Sequence, residues 1–548
     1  MKLRFLMFAF AVLAAFAAPR AEAATEYFVA PLGAAPNGTA DGSKANPWLS
    51  IGDAFSSGKV VGGDTLLLLD GNFGLLRVSR KSFDTPVTIQ SLNQKGAHFE
   101  QIEIGEGSRN LTFKSLEIWM TNPAANRSAI VYAHPNSSDI TLENLDIRGG
   151  GQGAKQYLAW GQSNWDNVNS GIRLGGPNSV VRGNTLIGVG VGITTTGPDA
   201  LVEWNQIEGY SADGMRGLGN RSVFRNNQLV NSIQVNENHD DGFQSWAPRG
   251  VPGASMDGLI IEGNSFIEWT GPENHPFRGR TQGIGLFDGP YKNLTIRNNV
   301  ISASYYHGIS VYGGQNVVIT NNTVINNSGI VGKSPWIGVF DQKNGTPSAD
   351  VLVANNLAMM LVGASDAAQN IVFSDNSVIF APATDFVDIQ NYDYHPTSGS
   401  GFIDTANIDY APAQDIVGSS RPFGAGPDRG AYEVGGIPDP ENGSGNPEVT
   451  HQTLGGMPMK RETVQSSTQG AMMTRETASN RNQGTVSTTS SSQIQAGTSS
   501  PQSDYTSTRI ADPVKRRVAH RNALSSAFGG KLGAKWIAAP TGIPAEEQ

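Results

Sequence analysis

Apolar residues along most of this chain fall in pairs or alternating triplets, broken by an asparagine and followed by another apolar residue or pair. The frame recurs as Ile140 and Leu142 before Asn144-Leu145, Val180-Val181 before Asn184, Leu201-Val202 before Asn205, and Val223-Phe224 before Asn227. It continues as Ile260-Ile261 before Asn264, Leu294 and Ile296 before Asn299, Val317 to Ile319 before Asn322, Val351 to Val353 before Asn356, and Ile371 to Phe373 before Asn376. Neighbouring copies stand about 20–23 residues apart, or about 34–40 where something is inserted, which is the spacing of a solenoid. Strands of three to five residues cannot bury a face alone, so the copies are expected to stack over a continuous apolar column. The recurrent Asn is expected to take the left-handed bend at each turn and to bond its neighbours above and below.

A second signature follows in each copy: a small or polar residue, Gly, then alternating apolar positions. It is carried by Ser170-Gly171-Ile172, Val191-Gly192-Ile193, Asp213-Gly214-Met215, Asp241-Gly242-Phe243, Gln282-Gly283-Ile284 and His307-Gly308-Ile309, with Trp336 to Phe340 closing the set. Alternation turns Ile172, Ile193, Met215, Phe243, Ile284 and Ile309 inward. It leaves an outward column of Arg173, Thr194, Arg216, Gln244, Gly285 and Ser310, and a second one of Trp246, Phe287, Tyr312 and Phe340. Three insertions, 148–169, 268–281 and 326–335, leave the repeat at one point and should build a wall along one edge; a fourth, 248–258, leaves from the other end of the strand. Together they could frame a cleft.

The stacked Asn turn with short strands on both sides resembles the right-handed parallel β-helix of pectate-lyase-like proteins, which implies an all-β solenoid over residues 100–435. Residues 24–99 read as an N-terminal cap with the first coils: Tyr27 to Pro31 as a strand, a short helix opening at Pro47 to Phe55, and a buried strand at Asp64 to Leu69. Gly426-Pro427-Asp428-Arg429-Gly430-Ala431-Tyr432-Glu433 resembles the ending of many secreted bacterial β-helix proteins. From 436 to 548 the composition turns to Gly, Pro, Ser, Thr, Gln and Asn, a disordered low-complexity tail with a basic end at Lys515-Arg516-Arg517.

Residues 1–23 carry a positive start, an apolar stretch from Phe5 to Ala18 and a small-residue site at Ala21-Glu22-Ala23, the pattern of a secretory signal. The product is therefore expected to be secreted, with no membrane span. The chain has no cysteine, which excludes disulfides and Cys-ligated zinc, and 66 glycines, which suit a turn-rich β protein. A formal charge of −9 over 548 residues argues against nucleic acid as a partner. A monomer acting on an anionic polysaccharide is the expectation.

The chemistry gathers at Asn236 to Trp246. Asp240 and Asp241 adjoin His239, and the repeat places Asp213 one rung earlier and His307 two rungs later in the same column. At a rung spacing of about 4.8 Å, Asp213 and Asp241 should repel and raise one pKa. Arg216 and Gln244 stand beside them. Carboxylates, a base and a cation within reach of one substrate suit acid–base cleavage of a glycosidic bond. Ala212-Asp213-Gly214, Asp240-Asp241-Gly242 and Tyr306-His307-Gly308 resemble, in the same order, the three motifs of polygalacturonase-type hydrolases, although one more coil separates the Asp pair from His307. That resemblance implies Asp213, Asp240 and Asp241 as catalytic carboxylates supported by His307.

Two further chemistries use the same residues. A polysaccharide lyase would take His239 or His307 as base, Tyr157 as acid and Arg173, Arg216 or Lys155 as cations, with Ca²⁺ a candidate at Asp213, Asp240 and Asp241. Asn238-His239-Asp240-Asp241 also resembles the catalytic motif of alginate C5-epimerases. Trp246, Phe287 and Tyr312 would offer aromatic faces to sugar rings. A non-enzymatic adhesin remains the alternative in which these columns serve only packing.

Overall fold

A computed structural model describes residues 24–35, 38–123, 129–237, 239–326 and 334–436. The stretch read as a secretory signal (1–23), residues 437–548 of the stretch read as a tail, Asn238 and residues 327–333 of the third insertion lie outside the described residues.

The short alternating segments become strands of three parallel sheets, and each rung contributes one strand to each. The Gly strand is followed by the strand that precedes the Asn turn; the strand after the turn then completes the coil. Ser170–Leu174, Val180–Arg182 and Thr185–Val189 are one such coil, and Ile193–Thr195 opens the next. The molecule is a right-handed parallel β-helix. The coils run back to Thr65–Leu68, behind a cap made of Glu26–Val29 and the helix Ile51–Ser56, whose N-cap Ser50 accepts from the Asp53 amide.

The register follows the alternation. Ile172, Ile193, Met215, Phe243, Ile284 and Ile309 are consecutive partners, and none is more than 1 % exposed. Burial of such a side chain stabilises by about 1.5–3 kcal/mol. The outward neighbours also align: Arg173, Thr194, Arg216, Gln244, Gly285 and Ser310. The aromatic column is less regular. A bulge after Ser245 sets Trp246 opposite Asp288, so Phe287 joins Tyr312 and Phe340 but not Trp246.

The asparagines stack from Asn184 to Asn376, each Nδ2 donating to the Oδ1 of the next at 2.9–3.1 Å. Each also donates to a core carbonyl, as Asn227 does to Val202 O at 2.9 Å. The left-handed bend belongs to the residue before each: Gly183, Trp204, Asn226, Gly263, Asn298, Asn321, Asn355 and Asp375. This corrects the expectation for the ladder Asn. An αL residue needs its side chain out of the way, whereas a ladder amide must point inward between two rungs. Asn144 is itself at the bend position, with φ 52°, and Leu145 takes the place its ladder partner would fill.

The first two insertions pack on each other. Ala154, Tyr157, Trp165 and Val168 of the first join Trp269 of the second over Ile187 and Ile233. His275 Nε2 lies 2.8 Å from Leu158 O. The fourth returns a strand, Met256–Asp257, beside Tyr291 and Lys292. At the far end Arg421 donates to the carbonyls of Asp428 and Gly430, while Glu433 accepts the Phe423 and Asp428 amides. Asn321 reaches the same two carbonyls from the helix, so the Pro-Asp-x-Gly-Ala-Tyr-Glu stretch is clamped to the αL turns. Among the described residues no helix is long and apolar enough to cross a membrane.

Candidate active site

The Gly strands bring the head residues of successive rungs into one column: Ser170, Val191, Asp213, Asp241, Gln282, His307 and Trp336. Asp213 Oδ1 accepts the Asp241 amide at 3.2 Å and its Oδ2 accepts Arg216 Nε at 2.5 Å. Asp241 Oδ2 accepts Gln244 Nε2 at 2.7 Å. Asp240 turns away, accepting from Ser232 Oγ at 2.8 Å, while its carbonyl takes the Thr281 hydroxyl. The three carboxylates are 2 %, 3 % and 0 % exposed for Asp213, Asp240 and Asp241.

His239 lies over them, with 39 % of its side chain exposed. Its Nδ1 stands 3.5 Å from Asp241 Oδ1, an ion-pair separation, and neither atom has a hydrogen-bond partner among the described residues. The adjacent Asp241 carboxylate raises the imidazole above its ordinary pKa. Burial, with Asp213 close by, pushes Asp241 up to about 6, and burial drives Asp240 well above the usual carboxylate range.

Arg216 is fixed on both sides. Asp213 holds Nε, and the guanidinium lies 5.8 Å from the centre of the Trp246 ring, which Arg249 approaches at the same distance. Arg173 stands exposed two rungs away, beyond Thr194. His307 is 7 % exposed, with Phe287 and Trp336 each 4.9 Å away edge-on. Burial, helped by the charge of His239, lowers its pKa to about 4. Trp336 Nε1 donates to Ser310 Oγ at 2.8 Å, and Ser310 Oγ is 2.9 Å from His307 Nδ1.

Asp213, Asp240, Asp241, His239, Arg216, Gln244, Trp246 and His307 are thus brought together, with Phe287 and Tyr312 beside His307. Three residues are not: Arg173, two rungs away, and two residues of the first insertion. Tyr157 is buried between insertions, donating to Glu208 Oε1 at 3.1 Å and accepting from Asn231 Nδ2 at 2.5 Å, so it presents no face to a ligand. Lys155 is exposed beside Asp146, 3.5 Å from its Oδ2, on the sheet that follows the Asn turn. Ser310 faces outward in register yet is fully buried beneath the aromatics. The Ca²⁺ expectation fails a fit test. Asp213, Asp240 and Asp241 aim their oxygens at three different partners, and among the described residues no three acidic or imidazole groups converge as ligands.

Sequence reasoning passed over Gln282, Trp336 and Arg249. Gln282 lies between Asp241 and His307 in the column, buried, with no partner for Oε1 among the described residues. Its place at the head of a Gly strand was the signal that could have found it.

The fold and this column define a right-handed parallel β-helix protein. Residues 170–358 match the family described as right handed beta helix region. No curated protein matches the sequence. Among solved structures the chain is similar to a pectate lyase at 16 % identity, over 75 % of this chain and 97 % of that one, with a TM-score of 0.38. It is similar to the Dettilon tailspike protein at 16 % identity, over 64 % and 68 % of the two chains, with a TM-score of 0.42. For a pectin methylesterase from Erwinia chrysanthemi the figures are 14 %, 50 % and 78 %, and 0.27. The likeness is one of fold alone.

Proposed function

We propose that this protein is an exported enzyme that breaks an acidic, uronate-containing polysaccharide by β-elimination, with His239 as the base and Arg216 as the cation that neutralises the substrate carboxylate. The observation that carries the reading is burial. A residue that moves a substrate proton must come within hydrogen-bond reach of it, and the three aspartates lie beneath the surface while His239 reaches solvent. Hydrolysis needs two carboxyl groups flanking the scissile bond with direct access to it.

In this scheme Asp241 orients the imidazole through Nδ1 and leaves the Nε2 lone pair toward solvent. Arg216, held by Asp213 and Trp246, meets the uronate carboxylate and lowers the cost of the carbanion that forms when the adjacent C–H proton passes to His239. The electron pair then forms the C=C bond as the glycosidic C–O bond breaks, and the leaving oxygen takes a proton from solvent water, while the proton on His239 is later lost to solvent. Arg173 further along the face would bind a second carboxylate of the polymer. Trp246, Phe287 and Tyr312 supply rings against sugar faces.

Polygalacturonate and alginate incubated with the protein should yield products that absorb in the ultraviolet through the new double bond. His239→Ala should lose about 10²–10⁴-fold in rate. New reducing ends without that absorbance would replace this reading with hydrolysis. Unchanged polymer across a panel of uronates would favour the adhesin.

A further inference from the structure

The outward columns of the Gly strands change character along the helix axis. Toward the cap, Tyr132, Arg173, Thr194 and Arg216 are consecutive partners. Arg173 is exposed and makes no ion pair among the described residues, while Arg216 is held by Asp213. Beyond Gln244 the same column runs on as Gly285, Ser310 and Gly338, which carry no charge, with Phe287, Tyr312 and Phe340 beside it.

The two outward glycines make room for rings. A Cβ on Gly285 would stand 2.5 Å from Phe287 Cε2, and one on Gly338 would stand 2.7 Å from Phe340 Cε2 and Cζ. Each ring therefore folds back over the glycine two residues before it. Tyr312 lies between them, its ring centre 5.8 Å from that of Phe287 and 4.6 Å from that of Phe340, tilted by only 23° to the latter. All three rings stay half-exposed, so they form a continuous apolar floor that reaches solvent. The charges that border the rings in sequence are acidic: Asp341 is exposed, and Asp288 accepts Lys343 Nζ at 2.6 Å.

A polymer lying along these columns meets two different surfaces. A carboxylate toward the cap finds the Arg173 guanidinium. A carboxylate on the rings would lose water without gaining a partner and would face Asp288 and Asp341. An uncharged pyranose instead buries its apolar face there. We propose that the substrate is a polymer of mixed charge, with uronate units over Arg216 and on toward Arg173, continuing into an uncharged pyranose over Phe287 and Tyr312. That unit is a neutral sugar or a uronate whose carboxyl is esterified. The assignment rests on elimination at His239, which sets the reacting uronate at Arg216, and it adds the identity of the neighbouring units.

The test follows kcat/KM of the full chain by ultraviolet absorbance on polygalacturonate, half methyl-esterified pectin and an unbranched polymer alternating galacturonate with rhamnose. At least one mixed polymer should exceed polygalacturonate by about tenfold or more, the scale that one well-filled apolar contact supplies. Which of the two leads tells whether the rings take the ester or the neutral sugar. Tyr312→Ala should cut that ratio several-fold. Phe340→Lys, which sets a cation on the floor and serves if the first variant fails to fold, should cut it by favouring polygalacturonate. If no polymer gives absorbing products, the elimination reading fails, and the same comparison is read from calorimetric titration with tetragalacturonate and the two mixed tetrasaccharides; tighter binding of a mixed one upholds the substrate class by itself. The proposal is overturned if polygalacturonate is turned over, or its tetramer bound, as well as both mixed forms. It is equally overturned if Tyr312→Ala and Phe340→Lys leave the ratio unchanged, which would make the rings packing alone.

Discussion

What His239 can do depends on the carboxylate beneath it. Asp241 raises the imidazole pKa, and only the deprotonated ring can accept a proton, so activity should rise with pH along a limb displaced above the ordinary histidine value. Asp241→Asn removes the negative charge and should move that limb to lower pH while reducing the maximal rate; a kcat/KM profile checks both, and an unmoved limb would disconnect Asp241 from the base. Asp240 tests the opposite sign. Its pKa is raised by burial, so the stability of the protonated form is present in acid and lost as pH rises through the raised value. Asn cannot ionise and keeps the Ser232 contact as acceptor, so Asp240→Asn should stabilise the fold relative to the parent by an amount that grows in thermal melts as pH rises above the ordinary carboxylate range. Gly285 shows a third dependence. A Cβ there would stand 2.5 Å from Phe287 Cε2 and 3.1 Å from Asp241 Oδ2. Gly285→Ala should therefore displace the Phe287 ring and raise KM several-fold with little change in Tm.

At the scale of elements, the alternation of the Gly strands was readable because side-chain direction in a strand is fixed by period two. The alternation alone aligns Asp213, Asp241 and His307 in one column. What the alternation does not carry is depth. Whether a head residue lies open or beneath its neighbours depends on the rotamers of Gln244, Phe287 and Trp336 and on insertions arriving from other rungs. Hence the buried aspartates, and Tyr157 turned into a wall instead of a cleft. The bulge after Ser245 likewise has no local sequence mark. The Asn turn makes a sharper contrast. Asn227 receives from Asn205 and donates to Asn264 and to Val202 O. Asn227→Ala strands several buried groups, each costing about 1–3 kcal/mol, and should lower urea stability by at least about 2 kcal/mol. Asn226→Gly, one residue earlier at φ 56°, should change stability by less than about 1 kcal/mol. Comparable losses at the two positions would contradict the division of labour between bend and ladder.

For the molecule as a whole, a stack of coils has two open ends, and each is closed differently: the first by the Ile51–Ser56 helix, the last by a charged knot. Arg421 has no side-chain exposure and stands among Asp415, Asp428 and Glu433. Arg421→Met would leave those carboxylates without their buried cation, which costs about 3–5 kcal/mol. Calorimetry should show this as a lower Tm or as an early transition of the last coils. A parent-like melt would mean that the knot does not seal that end.

The ladder turns and the insertions leave the coil at different corners, and this separates two jobs that most folds combine. Counting of rungs rests on Asn184 to Asn376, while the reach and shape of the walls rest on loops that touch none of them. A descendant of this chain could therefore acquire a new pocket by lengthening one loop without shifting a single strand by one residue. His239, borne on a loop that rises from the column, is placed to inherit such changes first.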